Sequence, residues 1–217
     1  FRRLCRKLIQ YICKDKVLGN ERIIDITLKN SAYYEGFFQS DAYFKDNIHL
    51  VFEDFRIKDK YRKAFTQKYG DFFAKNKVIV IHFRRKDYND VKIPELSEAG
   101  ISLPIDYYRK SLSMIENIEH YKILFIGDDL ESVERDFGNN PNYLFENNEA
   151  IVDFQLIQNA DIAIIANSTF AWWAAYLNEK SGARIIAPKY WLGFKGREVF
   201  PAGIETSKFE WIEFTNN

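Results

Sequence analysis

From residue 76 onward, short apolar runs alternate with amphipathic segments of helical length. The apolar runs are VIVIHF at 78–83, KILFIG at 122–127, NYLF at 142–145, DIAIIA at 161–166 and RIIA at 184–187. Helical patterns lie between them, near residues 105–118, 130–137, 149–159 and 169–180. Apolar strands separated by helices are typical of a parallel sheet covered on both faces. We therefore predict that residues 76–217 form one Rossmann-like α/β domain.

The first sixteen residues carry a helical pattern. Apolar side chains fall on one face, and most of the basic side chains fall elsewhere, which predicts a basic amphipathic helix over 1–16. Two roles stay open for this helix. It can be a connector that covers an edge of the core, which we favour, or it can bind peripherally to a membrane surface.

Residues 22–74 predict a mixture of extended and helical segments. The β-rich runs IIDITL and YYEGFF, between residues 22 and 38, favour strands. Ser40 or Asp41 can cap a helix over 41–55. A further charged amphipathic helix is expected over 59–74.

Composition narrows the classes of partner. Lysine and arginine number 31, as do aspartate and glutamate, so no overall field attracts nucleic acid, and an anionic ligand needs a local cluster. With 217 residues, 47% of them hydrophobic, the chain can bury a core. Cys5 and Cys13 form no disulfide framework, which indicates a reducing compartment. The sequence lacks an apolar run of about eighteen residues and a signal core, which predicts a soluble chain.

The run His82-Phe-Arg-Arg-Lys-Asp-Tyr88 follows the first apolar strand of the predicted domain. In open α/β sheets, ligands bind beyond the carboxyl ends of the strands. Strand alternation places His82 and Arg84 on one side and Arg85 on the other, if the strand continues that far. Because guanidinium groups bind phosphate bidentately, we predict that one arginine faces an anion while the other braces the loop, with Asp87 orienting one of them. The alternative is a strand that runs into a charged, solvated turn.

A second polar motif follows the strand at 161–166. Asn167 or Ser168 can cap the next helix, and Thr169 begins it. The free N–H groups of a helix start form an anion site, so a phosphate can bind here. The alternative is an ordinary capped turn, with the tryptophans at 172 and 173 as packing bulk.

Adjacent carboxylates, Asp128 and Asp129, follow the strand at 122–127. Three roles stay open for them: holding a divalent metal, which we favour least, accepting hydrogen bonds from a ribose or a base, or capping the next helix.

These three motifs, in this order, resemble those of the family 11 glycosyltransferases, the α-1,2-fucosyltransferases common in bacteria. The family's His-x-Arg-Arg-x-Asp-Tyr stretch is matched at 82–88, its Asn-Ser-Thr-Phe-x-Trp-Trp segment at 167–173, and its Asp-Asp turn at 128–129. Lys86 stands where a glycine is usual. The resemblance implies a GT-B enzyme in which residues 1–75 are a connecting segment that ends the acceptor domain and residues 76–217 bind the nucleotide sugar. The family's GGLGNQ-type segment is absent from this sequence.

The resemblance further implies inverting transfer of L-fucose from GDP-β-L-fucose to a galactose hydroxyl, without a cofactor or an obligatory metal. Arg84 and Arg85 would stabilise the charge that grows on the β-phosphate, and Ser168 and Thr169 would add donors. The remaining matched residues are implied to bind substrate: His82, Asp87, Tyr88, Asp128, Asp129 and Asn167.

Inversion calls for a base that takes the acceptor proton, unless the leaving phosphate does so. Glu95 and Glu98, in the loop after the arginine motif, are the candidates, although a solvated loop carboxylate is the simpler interpretation of each. The alternative functions are a fucosyltransferase of another linkage and a noncatalytic nucleotide-binding module. In a bacterium, the enzyme is expected in the cytoplasm or at the inner membrane. Nothing in the sequence indicates an oligomeric state.

Overall fold

The computed structural model describes residues 11–14, 32–35, 39–93 and 100–214. Its strands are β1 Tyr11–Lys14, β2 Ala32–Glu35, β3 Lys77–Phe83, β4 Tyr121–Gly127, β5 Tyr143–Phe145, β6 Ile162–Ile164, β7 Arg184–Pro188 and β8 Glu210–Ile212. Its α-helices are α1 Ile48–Asp54, α2 Asp59–Lys75, α3 Lys86–Asp90, α4 Ile105–Ser113, α5 Leu130–Phe137, α6 Ala150–Asn159 and α7 Thr169–Tyr176. Short 3₁₀ turns lie at Asp41–Tyr43, Lys45–Asn47 and Ile118–His120.

The main sheet has six parallel strands in the order β5-β4-β3-β6-β7-β8. Within this sheet, β3 is the first strand in the chain. The next two strands, β4 and β5, add on one side of β3, and the following three, β6, β7 and β8, add on its other side. The direction of winding therefore reverses between β3 and β6. In open α/β sheets, the crevice at such a reversal, beyond the carboxyl ends of the strands, is where ligands bind.

Both faces of the sheet are covered, which explains why the middle positions of its central strands are apolar. Val78 and Val80 of β3 pack with α2, α6 and α7 on one face. Ile79 and Ile81, on alternate positions of the same strand, pack with α4 and α5 on the other face. The predicted α/β Rossmann-like fold class is confirmed, and each predicted apolar run contains a strand.

The helix predicted over residues 1–16 is wrong for its last part. Residues 11–14 form β1, which pairs in parallel with β2, and the aromatic and β-branched residues of YIC favour such a strand. Residues 1–10 and 15–31 lie outside the described residues, and so does the whole of the first predicted strand, IIDITL. The second predicted strand overlaps β2.

Other differences concern the ends of elements. The helix expected over 41–55 begins with 3₁₀ turns and becomes α-helical only at Ile48. Ser40 caps the first turn as predicted, because its Oγ accepts a hydrogen bond from the Ala42 amide at 3.3 Å. The helices expected to reach 118 and 180 end at Ser113 and Tyr176. No helix in the described part of the chain has both the length and the apolar character needed to cross a bilayer.

Candidate functional site

A cleft of about 510 Å³ opens at the carboxyl edge of the sheet, where the winding reverses. Its size suits a ligand as large as a nucleotide. The structure brings together there most of the site residues predicted from sequence: His82, Arg84, Asp87, Tyr88, Asp128, Ser168 and Thr169. Arg85, Asp129 and Asn167 do not line this cleft.

Arg84 faces the cleft between two carboxylates. Its Nη2 lies 2.7 Å from Asp87 Oδ2, and its Nε lies 3.6 Å from Asp128 Oδ2. The guanidinium carbon is 5.5 Å from the centre of the Tyr88 ring, which gives a cation–π contact. Because 40% of the side chain remains exposed, an incoming anion can reach it. The carboxylates orient the guanidinium before any ligand arrives.

Arg85 points away from the cleft. Its Nη1 lies 2.9 Å from Asp136 on α5, and its guanidinium carbon lies 5.2 Å from the centre of the Phe83 ring. Its carbonyl accepts a hydrogen bond from Ser102 Oγ at 3.1 Å. Since β3 ends at Phe83, strand alternation does not set these directions, but the division into one facing arginine and one bracing arginine agrees with the prediction.

Gly127 lets the ends of β3 and β4 converge. Its φ of 135° is open to glycine, and a Cβ at this position would overlap the carbonyl oxygen of Phe83. Asp128 follows directly, and its Oδ1 accepts the Arg85 amide hydrogen at 2.8 Å. In the structure, Asp128 holds the arginine loop, which was not among the three roles considered for the acidic pair. Asp129 occupies the N-cap position of α5 without a side-chain capping bond.

The start of α7 forms part of the wall of the cleft. Ser168 holds the N-cap position, and the first N–H groups of a helix have no partner within the helix. Asn167 is buried and donates from Nδ2 to the Ile101 carbonyl at 2.9 Å, so it braces the turn. Trp172 is fully buried and donates to the Ile204 carbonyl at 3.2 Å. These two hydrogen bonds anchor the helix start at the cleft.

His82 is buried at the base of the cleft, with its ring centre 5.8 Å from that of Phe170. Burial, aided by the charge of Arg84, lowers the pKa of His82 to about 3. The imidazole is therefore neutral at physiological pH. Its Nδ1 has no hydrogen-bond partner among the described residues.

Sequence analysis missed two polar residues of the cleft, Asn148 and Asp153. Asn148 follows β5, and its Nδ2 donates to Asp153 Oδ1 at 3.2 Å. Asp153 lies in the first turn of α6 and is 9% exposed. Burial raises the pKa of Asp153 to about 6, although the Asn148 hydrogen bond acts in the opposite direction. A single acidic residue within the apolar run at 151–157 was the available signal.

The general-base candidates, Glu95 and Glu98, lie outside the described residues. Among the residues that the structure does describe, no three His, Cys, Asp or Glu side chains cluster as metal ligands. The expectation that transfer needs no metal stays a prediction.

The sequence matches the family model described as glycosyl transferase family 11 over residues 17–202. The O-antigen biosynthesis glycosyltransferase WbnK of Escherichia coli is 34% identical over 116 residues, which cover 51% of this chain and 38% of that protein. An α-1,2-colitosyltransferase of Escherichia coli is 28% identical over 182 residues, which cover 77% of this chain and 59% of that protein. The matches thus span only part of both relatives.

Two solved structures share a loose similarity. The fucosyltransferase NodZ from Bradyrhizobium superposes with a TM-score of 0.47 at 12% identity, over 70% of this chain and 54% of that one. A family 9 glycosyl transferase from Veillonella parvula gives 0.44 at 13% identity, over 73% and 42%. At these TM-scores, neither similarity carries an argument about the site.

Proposed function

Because this chain belongs to glycosyl transferase family 11, we propose that it binds GDP-β-L-fucose in the cleft and forms the donor-binding part of an inverting α-1,2-fucosyltransferase. The acceptor is a galactose hydroxyl of a glycan. One observation carries the proposal. Two groups suited to bind phosphate, the guanidinium of Arg84 and the N-terminus of α7, line the same cleft. This cleft lies where the winding of the sheet reverses.

The chemistry of transfer explains why such groups are needed. As the bond between the sugar and the diphosphate breaks, negative charge grows on the β-phosphate while the sugar becomes oxocarbenium-like. Arg84 can bind two phosphate oxygens at once, and the hydroxyl groups of Ser168 and Thr169, together with the Thr169 backbone N–H, can add donors at the start of α7. Donors that are already in place stabilise the leaving group without reorganisation. In this arrangement they provide the charge stabilisation for which other enzymes use a metal ion.

Asp153 supports guanine as the base of the donor. A buried carboxylate needs hydrogen-bond donors, and Asp153 receives one, from Asn148. The pairing edge of guanine offers two adjacent donors, N1–H and the 2-amino group. Adenine offers an acceptor at N1, and uracil has a single N–H between two carbonyl oxygens, so neither provides this pair.

The two relatives support a glycosyl-transfer reaction. Their names leave two candidate donor sugars, fucose and colitose, which an experiment has to distinguish. One is named for O-antigen biosynthesis, which agrees with a surface glycan as acceptor, and the other for α-1,2 transfer of colitose. Colitose differs from fucose in lacking the 3-hydroxyl group. The colitosyltransferase matches 77% of this chain, so GDP-colitose is the second candidate donor.

The direct test incubates the purified protein with GDP-fucose and a β-galactoside, with EDTA throughout. We expect a fucosylated product whose α-1,2 linkage is assigned by NMR. Transfer from GDP-colitose in preference to GDP-fucose would establish the second candidate. Transfer only from UDP-sugars, or no binding of either GDP-sugar, would refute the proposal.

For the acceptor proton, we propose Glu95 or Glu98 as the general base. The support is their position in the chain directly after the arginine motif. Single Gln substitutions, assayed for turnover and for donor affinity separately, test this role. Replacing the residue that acts as the base should lower turnover and leave the affinity for GDP unchanged.

A further inference from the structure

The side-chain amide of Asn148 is fixed by two residues of α2. Lys68 Nζ lies 2.7 Å from Asn148 Oδ1, and the Tyr69 hydroxyl lies 3.0 Å from the same atom. Because an ammonium group can only donate, the atom beside Lys68 has to be the amide oxygen. The amide nitrogen therefore points the other way. Tyr69 is buried and also contacts Glu146 at 2.9 Å, which keeps this arrangement in place.

The amide nitrogen and the neighbouring carboxylate form an ordered row. One hydrogen of Asn148 Nδ2 is donated to Asp153 Oδ1, at 3.2 Å. Within the described part of the chain, the second hydrogen finds no acceptor, and Asp153 Oδ2 finds no donor. Both side chains line the cleft. Read from Asn148 to Asp153, the row presents a donor, an acceptor and a second acceptor.

We propose that Asn148 is a base-specificity residue, which donates to the 6-oxo group of guanine while Asp153 accepts from N1–H and the 2-amino group. This inference rests on the proposed GDP donor and deepens it. Donor, acceptor, acceptor is the order along the pairing edge of cytosine, so the two side chains present to guanine what its base-pairing partner presents. Adenine meets this row with its 6-amino group against the Asn148 donor and its N1 acceptor against the carboxylate.

Calorimetric titration of the protein with GDP, IDP, ADP and UDP tests the proposal, since all four share the diphosphate and differ in the base. For the wild type, we expect IDP, which lacks the 2-amino group, to bind about tenfold more weakly than GDP. ADP should bind at least about a hundredfold more weakly, because its polar edge is mismatched at two positions.

Asn148→Ala is the decisive variant. It should weaken GDP and IDP by about tenfold each, since one hydrogen bond is lost, and leave ADP unchanged or slightly tighter. The ratio of GDP to ADP affinity should therefore fall. The matched control is Asn147→Ala, which removes an exposed amide one position away that does not line the cleft. Its ratio should equal that of the wild type.

The Lys68→Met variant tests whether the fixed orientation of the Asn148 amide matters, and it changes no residue that lines the cleft. With the ammonium gone, only the Tyr69 hydroxyl remains beside the amide oxygen, and a hydroxyl can accept as well as donate. The amide can then turn over, so the ratio of GDP to ADP affinity should fall even though the asparagine remains. Lys63→Met, an exposed lysine of the same helix, is the control. Lys68→Met also decides the question if Asn148→Ala fails to give a cooperative thermal transition.

The proposed GDP donor and the proposed role of Asn148 are overturned by different results. A wild type that binds none of the diphosphates, or prefers UDP, overturns the GDP donor and with it this inference. A wild type that prefers GDP, together with a folded Asn148→Ala variant that keeps the full GDP to ADP ratio, overturns only the role of Asn148.

Discussion

The guanidinium of Arg85 lies 2.9 Å from the carboxylate of Asp136, and only 14% of the arginine side chain is exposed. Its neighbour in sequence, Arg84, is 40% exposed and faces the cleft. Two identical side chains in succession thus have separate tasks. Removing the mostly buried Arg85 takes away its packing as well as its ion pair, whereas removing the more exposed Arg84 costs the fold little.

The first prediction separates these tasks. Arg84→Ala should keep the unfolding free energy within about 1 kcal/mol of wild type and reduce transfer by at least about a hundredfold, because phosphate stabilisation is lost. Arg85→Ala should destabilise the fold by about 1–2 kcal/mol, because the mostly buried side chain loses its contact with the Phe83 ring and its pair with Asp136, whose own side chain is 37% exposed. Urea unfolding and initial-rate assays measure the two effects.

A double-mutant cycle controls the second half of that prediction. If Arg85 acts through Asp136, the double variant Arg85→Ala/Asp136→Ala should be more stable than the sum of the single changes predicts, by about 1 kcal/mol or more. Additive effects would show that Arg85 stabilises the loop by another route. An Arg84→Ala variant with undiminished turnover would contradict the role in catalysis.

The convergence of β3 and β4 at Gly127 gives the second prediction. Gly127→Ala should destabilise the protein by about 2–4 kcal/mol, because the new methyl group meets the Phe83 carbonyl and the backbone angle is unfavourable. Gly138→Ala is the matched control: φ is 73° there, but nothing lies within 4 Å of the added Cβ. It should cost about 1 kcal/mol. If chemical denaturation showed that both variants lose the same unfolding free energy, the contact with the Phe83 carbonyl would not explain the effect at Gly127.

The third prediction concerns the stability conferred by Asp153. Its pKa is raised by burial from 3.8 to about 6 in the folded state, so the folded state holds the proton more tightly than the unfolded chain. Stability from this group is therefore full below pH 4 and falls as the pH rises towards 6. The Asp153→Asn variant has no carboxyl group at this position, so it does not lose stability in this way as the pH rises. Since solvent reaches part of the cleft, the variant should be more stable than wild type by on the order of 1–2 kcal/mol at pH 7.

Thermal unfolding across pH 4 to 8 measures that difference. The gap between variant and wild type should open between pH 4 and 6 and then stay constant. A gap that is independent of pH would mean that packing, and not the charge, sets the stability at this position.

The fourth prediction links the same carboxylate to donor binding. In the proposed complex the ionised form of Asp153 accepts hydrogen bonds from guanine, so the affinity for GDP-fucose should be constant above about pH 7 and should weaken as the pH falls through the pKa of about 6. GDP-fucose is the appropriate probe, because its diphosphate, unlike that of GDP, has no ionisation in this range. In Asp153→Asn, affinity should be low at all pH values and the slope should vanish. A wild-type affinity that does not change down to pH 5 would argue against this contact.

The sheet and its crevice were accessible from sequence because buried parallel strands leave a strong apolar signal, and polar motifs at their carboxyl ends must share one edge. The directions of Arg84 and Arg85 were accessible only in part. They depend on where β3 ends and on Asp136, which lies on a different helix. The wall formed by Asn148 was not accessible, since its partner Lys68 is 80 residues away in the chain. Local patterns do not encode which helix surfaces meet.

The described residues that line the cleft all lie between His82 and Phe170 in the sequence, although they follow four different strands. One uninterrupted stretch of the gene therefore encodes this cleft. If the proposed donor binds there, a single recombination event can transfer donor preference between relatives. The position of the upstream breakpoint matters. If the junction lies before Lys68, the recombinant inherits the lysine that orients Asn148 together with the cleft. If the junction lies just before β3, the cleft is combined with the α2 helix of another protein, and the orientation of Asn148 then depends on that helix.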